Sequence, residues 1–393
     1  MKKVMGMILA SAFVLTACGT PGRGASEDNS KDKESGAKGE TVKIGFNLEL
    51  SGPVAAYGSQ EKEGAELAVK EINEQGGIDG KPIEMVIKDN KSDTAEAAAI
   101  ATSLTTKEKV VGIIGPATSG ASKAQIPSVT KAEVPAITPS GTDDEITIMN
   151  GSVQKYVFRA SFQDSFQGVI LANYAMDNLS AKKAIIIGDV SSDYAKGLTK
   201  SFKETFTGDI VSEEKFNQKD KDFKAILTKI KDKDFDFIYL PGYYEEAGLI
   251  IKQAREMGIE QPILGADGFS DEKLVDIAGQ NNMQDIFYTA HFSEKAPASP
   301  KVKEFIDSFK DEYNKAPSSF SALAYDSVYM MKEALENAGE VSSAKLQEEL
   351  ANLKDFEGVT GTMTMDKNHN PEKAAVVIGV KDGKEDTAEV VNP

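Results

Sequence analysis

The chain has 393 residues, with 45 Lys and Arg against 62 Asp and Glu, a formal net charge of −17, one Cys and two His. One Cys excludes an internal disulfide and a Cys-rich zinc site, and His291 and His369 lie too far apart for an H-E-x-x-H metal site, so we expect no metal and no cofactor. The negative charge argues against contacts with a phosphate backbone, so we expect no nucleic-acid partner.

The N-terminal residues have the pattern of a secretory signal peptide. Lys2-Lys3 precede an apolar run over residues 4–15, which is shorter than the roughly 20 residues of a membrane-spanning helix. The run ends in Leu15-Thr16-Ala17-Cys18, which resembles a bacterial lipobox, the signal for lipid transfer to the Cys thiol. We therefore expect residues 1–17 to be a signal peptide and Cys18 to be lipidated. An ordinary signal peptide with an incidental Cys is the alternative.

The segment after Cys18 predicts a tether. Residues 19–40 contain no large apolar side chain and are rich in Gly, Ser, Lys, Asp and Glu. Such a composition does not bury enough surface to offset the entropy of ordering. We interpret residues 18–40 as a lipidated Cys and a flexible tether, which holds a folded body outside the cytoplasm, at the outer face of the cell membrane or in the periplasm.

From Thr41 onward, short apolar runs alternate with longer amphipathic segments. The strand-like runs are 42–46, 83–87, 110–114, 184–187 and 235–240, and the helix-like segments are 57–75, 95–107, 166–179, 245–257 and 301–313. Near-continuous apolar strands between helices predict an α/β fold with parallel sheets covered on both faces. Because the alternation continues over about 350 residues, we expect two doubly wound lobes rather than one.

The loops that follow the strands predict the site, because ligands of such sheets bind beyond the carboxyl ends of the strands. Ser119, Ser140 and Thr142 lie where strands give way to helices, and hydroxyls beside free N–H groups suit a carboxylate. Asp267 follows another strand and offers a carboxylate to an ammonium. Aromatic walls come from Tyr57, Tyr194 and Tyr243. Together these residues predict a pocket for a zwitterion with an apolar side chain.

Each of these residues also has a purely structural interpretation. Ser119 and Thr142 are suitable helix N-caps, Asp267-Gly268 is a suitable turn, and the Tyr side chains are compatible with a half-buried core. Their convergence on the loops at the strand ends favours the binding interpretation.

Several short motifs occur in a specific order between residues 41 and 393. They include Leu50-Ser51-Gly52-Pro53, Tyr57-Gly58, Val111-Gly112-Ile113-Ile114-Gly115, Thr138-Pro139-Ser140, Gly242-Tyr243-Tyr244 and Ala324-Tyr325-Asp326. This series resembles the branched-chain amino-acid binding proteins, which are the extracytoplasmic substrate receptors of ABC importers and have the type I periplasmic-binding fold.

The resemblance implies roles for the candidate residues. Ser119 and Thr142 would hold the α-carboxylate, and the Ser140 carbonyl and Thr142 hydroxyl would help to hold the α-ammonium. Asp267 would face that ammonium, at a position where leucine/isoleucine/valine receptors typically carry Glu. The side chain of the ligand would be walled by Tyr57, Tyr194, Tyr243 and Phe320.

The resemblance also implies how the chain divides. Lobe one would comprise residues 41–160 and 291–360, and lobe two residues 161–290 and 361–393, with three crossovers forming a hinge. A ligand that contacts both lobes would stabilise their closure, and the closed protein would deliver it to the membrane permease. We expect the protein to act as a monomer.

Other functions stay open at this point. The same fold also serves receptors for other small ligands, such as amides, other amino acids and short peptides, and it occurs in sensors. A hydrolase is the less favoured reading, because the chain has no G-x-S-x-G, Walker A or G-x-G-x-x-G motif, although its many acidic pairs leave carboxylate-based hydrolysis open.

Overall fold

The computed structural model describes residues 40–297 and 299–392. The predicted signal peptide, the proposed lipidation site at Cys18 and nearly all of the predicted tether lie outside these residues. The strands are β1 (Val42–Leu48), β2 (Ile83–Asp89), β3 (Gly112–Ile114), β4 (Ala136–Thr138), β5 (Ile148–Met149), β6 (Ser152–Val153), β7 (Val157–Arg159), β8 (Lys183–Asp189), β9 (Asp209–Phe216), β10 (Phe237–Tyr239), β11 (Ile263–Gly265), β12 (Ile286–Ala290), β13 (Phe356–Gly358), β14 (Gly361–Met365), β15 (Pro371–Glu372), β16 (Ala375–Lys381) and β17 (Lys384–Val391). The helices are α1 (Ala55–Glu74), α2 (Thr94–Ser103), α3 (Ser119–Ala132), α4 (Asp164–Asp177), α5 (Asp193–Thr205), α6 (Lys224–Ile230), α7 (Tyr244–Glu256), α8 (Glu272–Ala278), α9 (Lys301–Tyr313), α10 (Ser319–Ala338) and α11 (Ser343–Ala351).

The first lobe is built on a five-stranded parallel sheet in the order β2-β1-β3-β4-β7. Its central strands are buried, as their near-continuous apolar sequences predict. Because all five strands run in one direction, the loops after β1, β3 and β4 meet at one edge of the sheet. These loops carry the Ser and Thr residues expected to bind a ligand.

The second lobe is built on a seven-stranded sheet in the order β17-β16-β12-β11-β10-β8-β9. Strands β8 to β12 are parallel, as expected, but β16 and β17 are antiparallel additions at one edge. The expectation of a purely parallel sheet therefore holds only for the part from β8 to β12. The edge strands form a hairpin through the tight turn at Asp382-Gly383, which needs no helical crossover.

Helices α1 and α10 cross closely in the first lobe, and each carries a cavity residue near its N-terminus. A Cβ atom at Gly64 would lie 1.9 Å from the carbonyl oxygen of Ser321. Only glycine permits this approach. The close packing brings Tyr57 of α1 against Phe320 of α10, with ring centroids 4.3 Å apart.

Three segments of chain connect the two sheets, after β7, after β12 and before β16. Met363 and Met365 pack in the same apolar cluster as Ile44 of the first sheet. The third segment therefore leaves the first lobe after Met365, a few residues beyond the boundary expected between residues 360 and 361. The division of the chain into two discontinuous lobes otherwise stays a prediction.

A buried lysine joins two of these connections. The Lys373 ammonium donates to the carbonyl oxygen of Ala160 at 3.2 Å and to Thr360 Oγ1 at 2.5 Å. In the same region, Asp326 accepts hydrogen bonds from the backbone N–H groups of Val359 and Thr360. These polar contacts satisfy the backbone where the chain passes between lobes.

Candidate functional site

The eight residues expected to bind a ligand line one cavity between the lobes. The complete lining consists of Tyr57, Ala117, Thr118, Ser119, Ser140, Thr142, Tyr194, Tyr243, Asp267, Gly268 and Phe320. The space between these residues is small, at most about 230 Å³ including the part that is open to solvent. A cavity of this size suits one small molecule rather than a peptide. The role of each residue as a ligand contact stays a prediction.

A wider hollow also opens between the lobes, lined in part by Gln60, Asp271 and Ser319. We place the candidate site in the smaller cavity because its lining combines an acid, free hydroxyls and aromatic rings. Enclosure by buried side chains of this kind is typical of small-molecule sites.

The amino end of α3 provides a site for an anion. Ser119 Oγ accepts hydrogen bonds from the backbone N–H groups of Thr142 at 3.3 Å and Asp143 at 3.1 Å, so its own hydroxyl proton is free to be donated. Thr118 does not cap the helix with its side chain, because its hydroxyl donates to Glu49 at 2.9 Å. The helix therefore presents uncapped N–H groups and a hydroxyl to the cavity.

Thr142 provides a second free hydroxyl. Its Oγ1 atom is buried and makes no well-aligned hydrogen bond within the part of the chain that the structure describes; its neighbour is the buried Asp164 carboxyl, whose pKa is raised by burial and lowered in part by this hydroxyl. A buried hydroxyl without a partner costs free energy. A ligand that hydrogen-bonds to Thr142 removes this cost, so the arrangement favours an occupied cavity.

Ser140 differs from the other two hydroxyl residues, because its side chain is already engaged. Its hydroxyl lies 2.6 Å from Glu61 Oε1 and 3.0 Å from the carbonyl oxygen of Ala117. Burial, together with the charge of Glu49, raises the pKa of Glu61 well above its usual range. Ser140 is therefore suited to contact a ligand through its main chain, as the family resemblance implied.

Two charged residues outside the lining hold these loops in place. The Glu49 carboxylate accepts the backbone N–H groups of Ala117 and Thr118 at 3.0 and 3.1 Å. The buried Arg159 donates to the carbonyl oxygens of Gly141 and Asp143 at 3.2 and 2.7 Å. The Arg159 guanidinium is therefore engaged with backbone carbonyl oxygens and does not face the anion site.

Asp267 supplies the only carboxylate in the cavity lining. It is 3% exposed, and its Oδ1 accepts a hydrogen bond from the Tyr194 hydroxyl at 2.7 Å. Its Oδ2 lies 3.2 Å from His291 Nε2. Among residues 40–297 and 299–392, no Lys or Arg nitrogen lies within 4.0 Å of it. A buried carboxylate normally has a cationic partner. The cavity is the place where a cation can reach the Asp267 carboxylate.

Four aromatic rings form the apolar wall. Tyr57 stacks on Phe320, and Tyr194 stacks on Tyr243 with ring centroids 5.1 Å apart. Tyr57 meets Tyr243 edge-on at 5.8 Å, which joins the two stacks. Each stack lies within one lobe, and the two halves of the apolar wall come together when the lobes meet.

The lobes are closed over the cavity in this structure. The Tyr57 hydroxyl, from the first lobe, donates to the carbonyl oxygen of Gly268 in the second at 2.6 Å. At the rim, Lys123 Nζ lies 3.2 Å from Asp193 Oδ2 across the lobes. These contacts form only when the lobes meet, and they therefore belong to the closed state.

Within the residues that the structure describes, no helix is both long and apolar enough to cross a bilayer. The same residues contain no group of three or more His, Cys, Asp or Glu side chains arranged to hold a metal ion.

Two α/β lobes that close over a small cavity define a ligand-binding protein of the hinge type. Residues 41–385 match the model of the family described as periplasmic binding protein, and the chain belongs to this family. It is a substrate-binding protein, and membership of the family implies that it works outside the cytoplasm.

Three similar proteins illustrate the family. The chain is 50% identical to the branched-chain amino acid transporter substrate binding protein LivJ from Streptococcus pneumoniae, crystallised with isoleucine, with a TM-score of 0.87 over 90% of this chain and 100% of that one. It is 34% identical to the leucine binding protein LivK from Thermotoga maritima, with a TM-score of 0.84 over 90% and 99% of the two chains. A leucine-, isoleucine-, valine-, threonine-, and alanine-binding protein from Pseudomonas aeruginosa is 30% identical over 84% of this chain and 86% of its own length.

Several residues around the cavity were not predicted from the sequence. Ala117, Thr118 and Gly268 also line the cavity, and nothing in their residue type distinguishes them from other loop residues. Glu61 lies in the amphipathic segment 57–75 and was not singled out, yet it is fully buried. His291 was considered above only in excluding a metal site, yet it contacts Asp267.

Proposed function

We propose that this chain is the extracytoplasmic receptor of an ABC importer for a branched-chain or similar aliphatic amino acid. The ligand binds between the open lobes, and their closure around it produces the form that the membrane permease receives. The family membership and the closed, two-lobed cavity support this proposal.

One observation carries the proposal: the buried Asp267 carboxylate has no cationic partner among the described residues and lies in a cavity whose other polar groups suit an anion. A ligand with an ammonium at one end and a carboxylate at the other satisfies both. The ammonium pairs with Asp267, and the carboxylate accepts hydrogen bonds from Ser119, Thr142 and the amino end of α3.

The rest of the cavity selects the side chain. After the two charged ends are placed, the remaining surface consists mainly of Tyr57, Tyr194, Tyr243 and Phe320, which favours an apolar group. The small volume favours a single amino acid over a peptide. The isoleucine bound to the pneumococcal relative and the names of the other two relatives agree with this reading.

The proposal does not include catalysis. The family is one of binding proteins, and the two His residues do not suit a hydrolase. His291 contacts an Asp but no Ser or Thr hydroxyl, and His369 stacks on Phe158 and faces backbone carbonyl oxygens. We therefore propose that the chain binds its ligand and releases it unchanged.

The direct test is a thermal-shift screen of all twenty amino acids on the purified, ligand-stripped protein. A ligand that binds only the folded state stabilises it by about 2.7 kcal/mol at 100 times Kd, which corresponds to a shift of several degrees. We expect leucine, isoleucine or valine to produce the shift. Isoamylamine and 4-methylpentanoate, which lack the carboxylate and the ammonium of leucine respectively, serve as controls and are expected to bind far more weakly. If no aliphatic amino acid raises the melting temperature, the proposed ligand class is wrong.

We also propose that Cys18 carries the lipid anchor and that the protein is a monomer. Cys18→Ala protein expressed in a bacterial host is expected to be released or left unprocessed. If it remains bound to the membrane at the mature size, the lipobox interpretation is wrong. Light scattering of the purified protein, with and without leucine, measures its molar mass and tests whether it is a monomer.

A further inference from the structure

His291 lies beside Asp267 at the carboxyl edge of the second sheet. Strands β11 and β12 are parallel neighbours, so Asp267, which follows the first, and His291, which follows the second, emerge side by side. The His291 side chain is 1% exposed, and it does not line the cavity. It touches the candidate ammonium-binding group from behind.

The surroundings of the imidazole determine which nitrogen carries its proton. Burial lowers the pKa of His291 to about 4, so the ring is neutral at pH 7 and has one N–H. Nε2 faces a carboxylate oxygen, whereas Nδ1 has no hydrogen-bond partner in the described part of the chain. A carboxylate accepts but does not donate, so the contact requires the Nε2–H form.

Both partners of this contact are held by other groups. Phe162 stacks on the imidazole, with ring centroids 3.7 Å apart. Gln167 Oε1 accepts hydrogen bonds from the Asp267 backbone N–H at 3.0 Å and from Thr289 Oγ1 at 2.6 Å. Phe162 lies on the first connection between the sheets and His291 on the second. The stacking contact between their rings is therefore part of the hinge.

We propose that His291 is a positioning residue for the ligand ammonium: its Nε2–H holds Oδ2 of Asp267, as the Tyr194 hydroxyl holds Oδ1. With one fixed donor on each oxygen, the carboxylate cannot rotate, and its remaining lone pairs are directed to the cavity. Without the donor from His291, Asp267 loses its orientation and a charge-assisted hydrogen bond. This inference rests on the proposed function, because it assigns His291 a part in binding an amino acid.

A pair of variants that differ by one methylene tests the proposal. The side-chain nitrogen of Gln reaches about as far from the backbone as Nε2 of His, whereas that of Asn reaches only as far as Nδ1. His291→Gln is therefore expected to keep the affinity for leucine within about threefold. His291→Asn is expected to weaken it about tenfold, the value of one hydrogen bond to a charged group. If the two variants differ by less than about threefold, the proposal is overturned.

A ligand without an ammonium separates positioning from a general effect on the fold. The affinities of wild type and both variants for leucine and for 4-methylpentanoate are measured by calorimetry. We expect His291→Asn to reduce the preference for leucine, because only leucine uses Asp267. Equal weakening of both ligands indicates a structural role and overturns the proposal. If wild-type protein binds neither leucine nor another aliphatic amino acid, the proposed function itself fails, and the inference falls with it.

A measurement on the wild-type protein needs no variant. The chain has two histidines, and they are expected to have opposite tautomers, because His369 Nδ1 lies 3.0 Å from the carbonyl oxygen of Val157 and must donate to it. In ¹⁵N spectra of histidine-labelled protein at pH 7, His291 should show a protonated Nε2 and His369 a protonated Nδ1. Leucine should shift the signals of His291 and leave those of His369 nearly unchanged. An Nδ1–H form of His291 contradicts the proposal.

Discussion

The substitution Asp267→Asn isolates the charge at the centre of the cavity. Asn has nearly the shape of Asp, and its amide oxygen can still accept the hydrogen bond from Tyr194, which lies 2.7 Å from Oδ1 in the native protein. The change therefore removes the negative charge and leaves the volume of the cavity and the aromatic wall intact. The pairing with the ligand ammonium is lost, and the amide nitrogen that replaces Oδ2 cannot accept from His291 Nε2–H, so the imidazole has to adopt its other tautomer.

The size of the effect follows from the burial of the group. Asp267 is 3% exposed and has no Lys or Arg partner among the described residues, so an ammonium in the cavity is its only cation. Truncating one partner of a buried, hydrogen-bonded charge pair typically costs about 2–5 kcal/mol. At about 1.4 kcal/mol per factor of ten, leucine should bind roughly 30-fold to several thousand-fold more weakly.

Calorimetric titration with leucine measures this loss, and Asp189→Asn is the matched control. Asp189 is also a buried Asp, the last residue of a strand of the second sheet, but it accepts hydrogen bonds from Ser191 and does not line the cavity. The control should bind leucine as the wild type does. If Asp267→Asn also retains wild-type affinity, then the ammonium does not pair with Asp267 and the orientation proposed for the ligand is wrong.

Three further predictions concern closure and pH. Tyr57→Phe removes the hydrogen bond to Gly268 that forms between the lobes and should weaken leucine binding about two- to tenfold, and calorimetry showing no change would mean that this bond does not contribute to closure. Lys123→Met removes the ion pair with Asp193 across the rim. It should weaken binding by up to about fivefold at low salt and make little difference near ~1 M salt, whereas an equal loss at both salt concentrations would contradict an electrostatic contribution. Burial lowers the pKa of His291 to about 4; between pH 6.5 and 4 the unfolded chain binds the proton that the folded chain does not, so stability falls as the pH falls through that window. Chemical unfolding should show wild type losing up to about 3 kcal/mol more than His291→Gln over this range, and parallel pH curves would refute the assignment.

Strong periodic patterns made the fold predictable. The amphipathic segment 301–313 coincides with α9, and the apolar runs beginning at Val42 and Ile83 begin β1 and β2. An apolar run reports burial on both faces of a sheet and not the direction of the neighbouring strand: β16 is buried along nearly its whole length, as a parallel strand would be, but it pairs antiparallel. This is why the antiparallel pair β16 and β17 was not anticipated.

The cavity residues that could be predicted are those whose side-chain chemistry itself suggests a ligand contact. Hydroxyls, tyrosines and one Asp stand directly after strands, so the topology alone brings them together. His291 and Glu61 were missed for a different reason. Each acts through a partner distant in sequence, Asp267 for His291 and Ser140 for Glu61. A buried polar residue of this kind is indistinguishable from a surface one until the partner is placed beside it.

The closed cavity has a consequence for rates rather than for affinity. Its eight predicted contact residues are each at most 7% exposed, so a bound ligand has no open path to solvent while the lobes are together. Dissociation must then wait for the lobes to part, which requires the ligand's own contacts with both lobes to break together with contacts such as Tyr57–Gly268 and Lys123–Asp193. A ligand that binds both lobes more strongly should therefore also leave more slowly, and a membrane partner that pulls the lobes apart accelerates release without touching the ligand.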